Sequence, residues 1–386
     1  MFQEHYSRFL AARPNLLHFA AHSHHYWPDV TRDAQMQCWD DAARLADEKW
    51  GYIFSEIVPK AQRRLAAGLG LSDYKQICFA PNTHELLVRL LSCLDPAKPR
   101  RILTTDSEFH SCSRQLTRLE ERGDVTIDRI PSEPFGSFAE RFCQAAQHDY
   151  DMVYLSHVFF NSGFVVQNLD RIVSSVTNPK TIIAIDGYHA LGAVPVNIST
   201  IQNRVFYLGG AYKYLQGGEG ACFMTVPAQC SLRPESTGWF ATFSNLETIP
   251  ASGEQKVAYS SDAFRFWGAT FDPVGLYRLI AVYKLFAKLE LTPEKIHSYV
   301  QSLQSHFIER MDSSQHPFIN RRNLLIHSLT THGHFFTFKF PEAQAIHKQL
   351  RSAEVITDVR GDRLRFGFGL YQTKANIDEL FRRINS

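Results

Sequence analysis

The sequence lacks the features that mark a membrane-spanning, secreted or zinc-binding chain. No apolar run approaches the ~18 residues needed to cross a bilayer, and residues 1–5 show no basic stretch leading into an apolar one. The seven cysteines are scattered, odd in number and without a Cys-x-x-Cys pair, so no disulfide framework or zinc site is indicated. We therefore expect a soluble protein of a reducing, cytoplasmic compartment, with no membrane partner.

The sequence also has no large excess of positive or negative charge. The 41 basic and 39 acidic residues leave a formal net charge of +2, so no electrostatic argument favours nucleic acid or an anionic membrane surface as a partner. No repeat or low-complexity segment appears. Aromatic residues, by contrast, are abundant, with 29 Phe and 15 Tyr among 386 residues. Together with the chain length, they predict a large domain with a substantial core and a second, smaller domain.

The most informative stretch is a lysine, Lys213, between two tyrosines in a glycine-rich segment. The apolar run 204–208 before it predicts a short buried strand, and the glycines allow sharp turns and a close approach to a ligand. A lysine in such a place can form an imine with a carbonyl, and its surroundings tune its basicity. Taken alone, the stretch could equally be a surface turn that carries an ordinary lysine.

A second stretch favours the chemical interpretation. The apolar run 181–185 ends in Asp186, and His189 follows three residues later. An acid at the carboxyl end of a central strand lies where α/β sheets bind ligands. Pyridoxal phosphate needs such an acid, because a carboxylate paired with the pyridinium nitrogen keeps the ring protonated as an electron sink. The ordered pair Asp186 and Lys213, each after an apolar strand, predicts a fold type I pyridoxal-phosphate enzyme.

These motifs resemble a known family. Asp-x-x-His followed by Tyr-Lys-Tyr-Leu-x-x-Gly-x-Gly is similar to the class V aminotransferase group and, within it, most similar to kynureninase. The resemblance runs from about Phe19 to about Tyr371 and is strongest from Asp186 to Ala221. It implies a homodimer that binds pyridoxal 5′-phosphate and a small amino acid substrate, with Lys213, Asp186 and His189 as catalytic residues.

The order of predicted elements indicates an α/β fold, with a mostly parallel central sheet flanked by helices and a smaller C-terminal α+β domain. Strand, loop and helix alternate between residues 152 and 186, which is typical of parallel sheets. We expect an N-terminal segment, 1–50, that contributes to the active site and the small domain. The large cofactor-binding domain is predicted at 51–272 and the small domain at 273–386.

A predicted amphipathic helix with Asn82 or Thr83 as its N-cap suggests where a phosphate could bind. The free N–H groups and the dipole of a helix N-terminus attract anions, although simple capping is the better explanation of the pattern taken alone. In the class V group this turn holds the cofactor phosphate. The resemblance therefore assigns Thr83 and His84 as phosphate contacts, together with Tyr212.

The resemblance also implies further cofactor contacts. Phe109 matches the aromatic residue that stacks on the pyridine face, with a core position as the alternative interpretation. Asn161 is a candidate partner of the ring hydroxyl, with His157 as a second candidate at the same strand end. Trp239 belongs to a Gly-Trp element that shapes cofactor and substrate binding, and Thr270 matches a threonine that reaches the phosphate across a dimer interface.

Substrate contacts are expected at both ends of the chain. Arg363 and Arg365 lie on one face of a predicted strand, and an arginine can clamp a carboxylate with two parallel hydrogen bonds. The resemblance points to Arg365, while Arg363 remains open. Near the N-terminus, His-Ser-His-His at 22–25 matches an Asn-Ser-Leu-Gly loop that borders the kynureninase substrate pocket, which makes Ser23 and His24 candidates. No carboxylate or cysteine lies at ligand spacing nearby, so we expect no metal there.

The resemblance implies hydrolytic cleavage of the Cβ–Cγ bond of an amino acid side chain through a Lys213 imine. A class V aminotransferase, a β-eliminating lyase or an epimerase could use the same core residues, and a catalytically silent cofactor-binding scaffold is the non-enzyme alternative. A cysteine desulfurase of this fold needs a nucleophilic cysteine in the C-terminal half, and no cysteine follows Cys230. The chain departs from kynureninases at 22–25 and at Cys112, where substrate choice would be set.

Overall fold

The computed structural model describes residues 2–245 and 257–384, and twelve strands lie in these two ranges. In chain order they are β1 (Leu17–His18), β2 (Ile77–Ala80), β3 (Arg100–Thr105), β4 (Val125–Ile130), β5 (Met152–Ser156), β6 (Ile182–Asp186), β7 (Val205–Gly210), β8 (Cys222–Thr225), β9 (Phe335–Lys339), β10 (Val355–Ile356), β11 (Asp358–Arg360) and β12 (Arg363–Gly367).

Seven of these strands form the central sheet, in the spatial order β2-β8-β7-β6-β5-β3-β4. Strand β8 is antiparallel to both of its neighbours, and the other paired strands run parallel. Every residue of β5, β6 and β7 is buried, as expected for parallel strands covered on both faces. The predicted mostly parallel sheet flanked by helices is confirmed.

The helices cover this sheet and build the rest of the molecule, and none in the described ranges is both long and apolar enough to cross a membrane. They are α1 (Ser7–Ala12), α2 (Val30–Leu45), α3 (Lys49–Tyr52), α4 (Val58–Leu69), α5 (Thr83–Leu91), α6 (His110–Glu121), α7 (Phe138–Ala146), α8 (Leu169–Ser175), α9 (Val274–Lys288), α10 (Pro293–Ser314), α11 (Ala343–Ser352) and α12 (Lys374–Ile384).

A second core lies around the three-stranded antiparallel sheet β11-β12-β9. It is rich in phenylalanine, and Phe307 on α10 contacts the rings of Phe336 and Phe366. The N-terminal segment joins this core, because β1 pairs in parallel with β10 and Phe19 is fully buried there. The chain therefore brings residues near position 20 against the C-terminal strands.

The packing of the strands decides where the functional side chains meet. In parallel strands the carboxyl ends lie at the same edge of the sheet. Asp186 ends β6 and is paired in register with Ser156, which ends β5. Lys213 follows β7, the next strand in the sheet, after Ala211 and Tyr212. This edge of the sheet is consequently where the sequence-predicted catalytic residues converge.

Candidate active site

A cavity of about 440 Å³ opens at the carboxyl ends of β5, β6 and β7, and several residues named in the sequence analysis line it. It is lined by Pro81, Asn82, Thr83, His84, Phe109, Ser111, Ser156, Val158, Phe160, Asp186, Tyr188, His189, Tyr212, Lys213, Glu219, Gly220 and Cys222. All three predicted catalytic residues are among them, as are four of the predicted cofactor contacts: Thr83, His84, Phe109 and Tyr212.

Lys213 lies at the centre of this cavity and is 4% exposed. Its Nζ is 2.5 Å from His189 Nε2 and lies 5.0 Å and 5.2 Å from the ring centroids of Tyr188 and Phe109. Within the described ranges, no carboxylate lies within 4 Å of this amine. Burial lowers the pKa of Lys213 to about 7, and Asp186 only partly offsets that effect. The amine is therefore available in its neutral, nucleophilic form near neutral pH.

Asp186 is a buried carboxylate without a cation beside it. Its Oδ1 accepts a hydrogen bond of 2.9 Å from the backbone N–H of Tyr188, and its Oδ2 accepts one of 3.2 Å from the hydroxyl of Tyr154. No basic side chain of the described residues lies within 4 Å of it, and burial raises its pKa. A buried carboxylate of this kind is suited to pair with a cationic group of a ligand.

The N-terminus of α5 forms the opposite wall. Asn82 adopts an extended conformation, and its side chain accepts a hydrogen bond of 2.9 Å from the backbone N–H of Glu85. The first two helical residues, Thr83 and His84, line the cavity. Because the first N–H groups of a helix have no partner within the helix, this end can hold an anion such as a phosphate.

Together these features fit pyridoxal phosphate. The cofactor needs an amine that bonds to its aldehyde, a carboxylate for its ring nitrogen and an anion site for its phosphate, and the cavity offers Lys213, Asp186 and the start of α5. The ring of His189 adds a buried Nδ1 that has no hydrogen-bond partner in the protein. A buried polar atom left in this way is a candidate for a ligand contact.

Three of the predicted cofactor residues are not among the described lining residues of this cavity. Asn161 donates a hydrogen bond of 3.0 Å to Ser107 Oγ. Trp239 is 42% exposed, with its ring centroid 4.0 Å from that of Phe240. Thr270 is exposed and lines a different cavity, of about 540 Å³, formed with α2 and α3. Thr270 therefore does not contribute to the cavity around Lys213.

The predicted substrate residues lie on the small-domain side. The Arg365 side chain is 3% exposed, and it donates from Nη1 to the carbonyl of Phe160 and from Nη2 to Asp358 Oδ2 at 2.6 Å. Its Nε is buried and has no partner in the protein. Ser23 donates to the same Asp358 oxygen, whereas His24 is exposed, with its ring 5.8 Å from that of Tyr212.

Arg363, the alternative carboxylate ligand, is turned elsewhere. It forms an ion pair of 3.0 Å with Glu133 and donates to the carbonyl of Asn161 at 3.1 Å. Arg365, by contrast, is close enough to Lys213 for its positive charge to lower the pKa of that amine. The geometry therefore favours Arg365 as the group that meets a substrate carboxylate.

The sequence arguments missed two features of the site. Tyr188, inside the Asp-x-x-His motif itself, contributes a wall of the cavity and an aromatic face near Lys213. Glu108, directly before Phe109, is buried and accepts hydrogen bonds of 2.6 Å from Thr105 Oγ1 and Ser156 Oγ. Burial raises its pKa to about 7. Glu108 could have been noticed in the sequence because it is an acidic residue in the loop that follows an apolar strand.

Comparison with known proteins places these observations in context. The family model described as Aminotransferase class-V matches residues 42–380. The kynureninase of Deinococcus radiodurans is 25% identical over 349 residues, which cover 84% of this chain and 80% of that protein. The kynureninase of Pseudomonas fluorescens is 27% identical over 252 residues, 62% of this chain and 56% of that protein. The resemblance inferred from the sequence is confirmed.

Solved structures agree on the fold. A mutant of C-DES with glycine covalently linked to the PLP cofactor superposes with a TM-score of 0.84 at 19% identity, covering 100% of this chain and 99% of that one. The cystine C-S lyase C-DES with its product cysteine persulfide gives a TM-score of 0.80 at 18% identity, covering 98% and 99%. At these identities the likeness establishes the fold alone, and it confirms the predicted fold type I architecture.

Proposed function

Given that the chain belongs to the class V aminotransferase family, whose cofactor is pyridoxal phosphate, we propose that it is a kynureninase-like enzyme. It would cleave the Cβ–Cγ bond of an amino acid side chain by hydrolysis. One observation carries this proposal: buried Lys213 lies 2.5 Å from His189 in the same cavity as buried Asp186. Both of the sequence matches quoted above are kynureninases.

When bound, pyridoxal phosphate supplies an electron sink that weakens bonds at the α-carbon of an attached amino acid. The residues of this chain would hold it there. Asp186 would keep its ring nitrogen protonated, the start of α5 would bind its phosphate, and Phe109 would cover one face of its ring. Lys213, whose amine lies in the same cavity, would move protons at the substrate.

Arg365 is the expected ligand of the substrate α-carboxylate. Its buried Nε has no hydrogen-bond partner in the protein, so an incoming carboxylate would satisfy a donor that is otherwise left unpaired at a cost of about 1–3 kcal/mol. A charge-assisted pair with a guanidinium also fixes the direction of the carboxylate. Fixing the carboxylate and the amine together determines which bond at the substrate α-carbon lies perpendicular to the cofactor ring.

Persulfide transfer is disfavoured by the cysteines. All seven are free, and the one that lines the cavity, Cys222, is buried, which raises its pKa to about 12. A thiol in that state is a poor nucleophile, because the thiolate is the reactive form. Cys112, which stands where kynureninases carry an aspartate, is also buried with a raised pKa and cannot supply the missing carboxylate.

The test is to load the purified protein with pyridoxal phosphate and add L-kynurenine, followed by other amino acids. Release of alanine and anthranilate is the expected result. Lys213→Ala should abolish this activity and also the absorbance of the lysine-bound cofactor at the edge of the visible range. Lys180→Ala, which changes an exposed lysine, is the matched control. Pyruvate and ammonia, or a cofactor converted to its amine form, would instead indicate β-elimination or transamination.

A homodimer would complete the site. Thr270 is exposed on the second cavity, together with Met36 and Trp39, which are 50% and 67% exposed. A second copy covering these apolar side chains would carry Thr270 towards its partner's phosphate. Light scattering should show a dimer that Trp39→Glu disrupts and that the control Val257→Glu leaves intact. A monomeric wild-type protein that binds cofactor normally would refute the arrangement.

The free cysteines also bear on the compartment. All seven are unpaired, and unpaired cysteines are usual where glutathione and thioredoxin keep thiols reduced. We therefore place the proposed enzyme in the cytoplasm. A fractionation assay of the native host is the corresponding test, and recovery of the protein in an oxidising compartment would contradict the assignment.

A further inference from the structure

His22 is a buried side chain whose hydrogen-bonding capacity is unused. It is 0% exposed, and its ring stacks on Phe335 with centroids 4.6 Å apart and planes inclined by 19°. Neither ring nitrogen has a hydrogen-bond partner. Buried polar groups in folded proteins are nearly always paired, so an unpaired one calls for a functional explanation.

The other buried histidine of the same loop provides a comparison. A Cβ at Gly367 would lie 2.2 Å from His22 Nδ1, and a Cβ at Gly369 would lie 2.6 Å from His25 Nε2, so both rings pack directly over glycines of the C-terminal segment. His25 Nδ1, however, is 2.6 Å from the carbonyl of Tyr26. Of the two rings, only His22 lacks such a partner.

The nearest acid to His22 already belongs to another pair. His22 Nε2 is 3.9 Å from Asp358 Oδ2, and that same oxygen accepts hydrogen bonds from Arg365 and Ser23. The charges of Arg365 and Asp358 balance each other. A substrate carboxylate that pairs with both the free Nε and the Nη2 of Arg365 would add a negative charge to this buried region and take Nη2 from Asp358. Asp358 would keep Ser23 at Oδ2 and, 3.6 Å from Oδ1, Arg360, whose half-exposed side chain is screened by solvent. The added buried charge is costly unless a new cation forms beside Oδ2.

We propose that His22 is a positioning residue that pairs with Asp358 as an imidazolium when Arg365 turns to the substrate carboxylate. This inference rests on the proposed binding of an amino acid at Arg365. One proton passes from solvent to His22, and no covalent bond other than the new N–H forms or breaks. Substrate binding is thereby coupled to proton uptake.

The charged and titratable groups that face His22 are consistent with this change. Burial, and then the positive charge of Arg365, hold the pKa of His22 well below its usual value, so the ring is neutral before substrate binds. When a carboxylate neutralises Arg365 and Asp358 loses its guanidinium partner, both changes raise the pKa of His22. The groups that face His22 are Arg365, Asp358, His189, Lys213 and His18, and Arg360 lies 3.6 Å from the other oxygen of Asp358.

The experiment measures the number of protons bound, by calorimetry on the pyridoxal-phosphate-loaded protein at about pH 8, above the ordinary pKa of histidine. L-Alanine is the probe, and ethylamine, which has the amine without the carboxylate, corrects for protons released or taken up at the amine. Comparing heats in phosphate and Tris buffers gives the proton count for each ligand. We expect L-alanine to draw in about one proton more per site than ethylamine does.

Two variants locate that proton. His22→Asn should remove the extra uptake, whereas His25→Asn, the same change at the other buried histidine, should retain it. Asp358→Asn should remove it as well, although His22 is still present, and this variant decides the matter if His22→Asn fails to fold. Uptake that persists in either His22→Asn or Asp358→Asn would overturn the inference.

The proposed function can fail separately. If L-alanine shifts the absorbance of the bound cofactor but brings in no more protons than ethylamine, the role of His22 is refuted and amino acid binding stands. If L-alanine produces neither heat nor a spectral shift in the wild-type protein, the proposed substrate class and this inference are refuted together.

Discussion

The pH dependence of cofactor capture is the most direct test of the environment around Lys213. Only a neutral amine attacks the aldehyde of pyridoxal phosphate. An ordinary lysine with a pKa of 10.5 would be neutral in about 3 of 10,000 molecules at pH 7, whereas Lys213, with a pKa of about 7, is neutral in about half. At pH 7 burial should therefore raise the neutral, reactive fraction of the amine by roughly a thousandfold.

The perturbation is Asp186→Asn. Burial is the main cause that lowers the pKa of Lys213, and Asp186 is the leading influence in the opposite direction. Removing the negative charge should lower the pKa of Lys213 further. In the wild-type apoprotein the capture rate should rise with pH and level off just above about pH 7. In Asp186→Asn the midpoint should move to lower pH.

The assay is stopped-flow absorbance on mixing apoprotein with pyridoxal phosphate between about pH 5 and 9, a range that brackets the pKa of Lys213. Free lysine mixed with the cofactor corrects for the ionisation of the cofactor itself. Lys213→Ala, which lacks the reacting amine, gives the background absorbance change. Asp170→Asn is the control for loss of a carboxylate elsewhere in the protein. A wild-type rate still rising steeply at about pH 9, or a midpoint in Asp186→Asn displaced upward, would refute the reasoning.

Two further predictions concern packing. Asn82→Ala should lower the free energy of unfolding by about 1 kcal/mol through loss of the α5 cap and should also weaken cofactor binding, whereas Thr292→Ala, which removes the α10 cap, should affect stability alone in denaturant titrations. Gly367→Ala should cost about 1–3 kcal/mol, because its Cβ would meet the ring and, at 2.9 Å, the backbone nitrogen of His22. Gly136→Ala, with nothing within 4 Å, should change stability by less than about 0.5 kcal/mol, and equal losses in the two glycine variants would contradict the packing argument.

Much of the site could be predicted because local sequence encodes it. Apolar runs that end in Asp186 and precede Lys213 indicate neighbouring parallel strands, whose carboxyl ends must meet. The leucine pattern after Asn82 indicates a capped helix, and α5 begins at Thr83 with Asn82 as its cap. The side chains at these positions follow from strand and helix geometry, so no knowledge of distant packing was needed.

Residues outside regular elements were harder to place. The sequence indicates Thr270 and Trp239 by motif alone, and in the described structure neither lines the cavity around Lys213. The long helix α10 was not singled out, although Thr292 and Pro293 form a recognisable start for it. Glu108 was missed because its role depends on Thr105 and Ser156, and Ser156 lies 48 positions away in the chain.

The sequence by itself indicated the mostly parallel sheet, the cofactor and the cavity residues near Asp186, Lys213 and Thr83, since each of these depends on a short local segment. Only the tertiary structure decided how the substrate side is built. Ser23 and Asp358, 335 positions apart, meet beside Arg365 because β1 pairs with β10 and draws the N-terminal loop onto the small domain. The tertiary structure also sets the lowered pKa of Lys213 and leaves the ring of His22 without a hydrogen-bond partner. Both follow from burial, which depends on packing between distant segments and not on any single stretch of the chain.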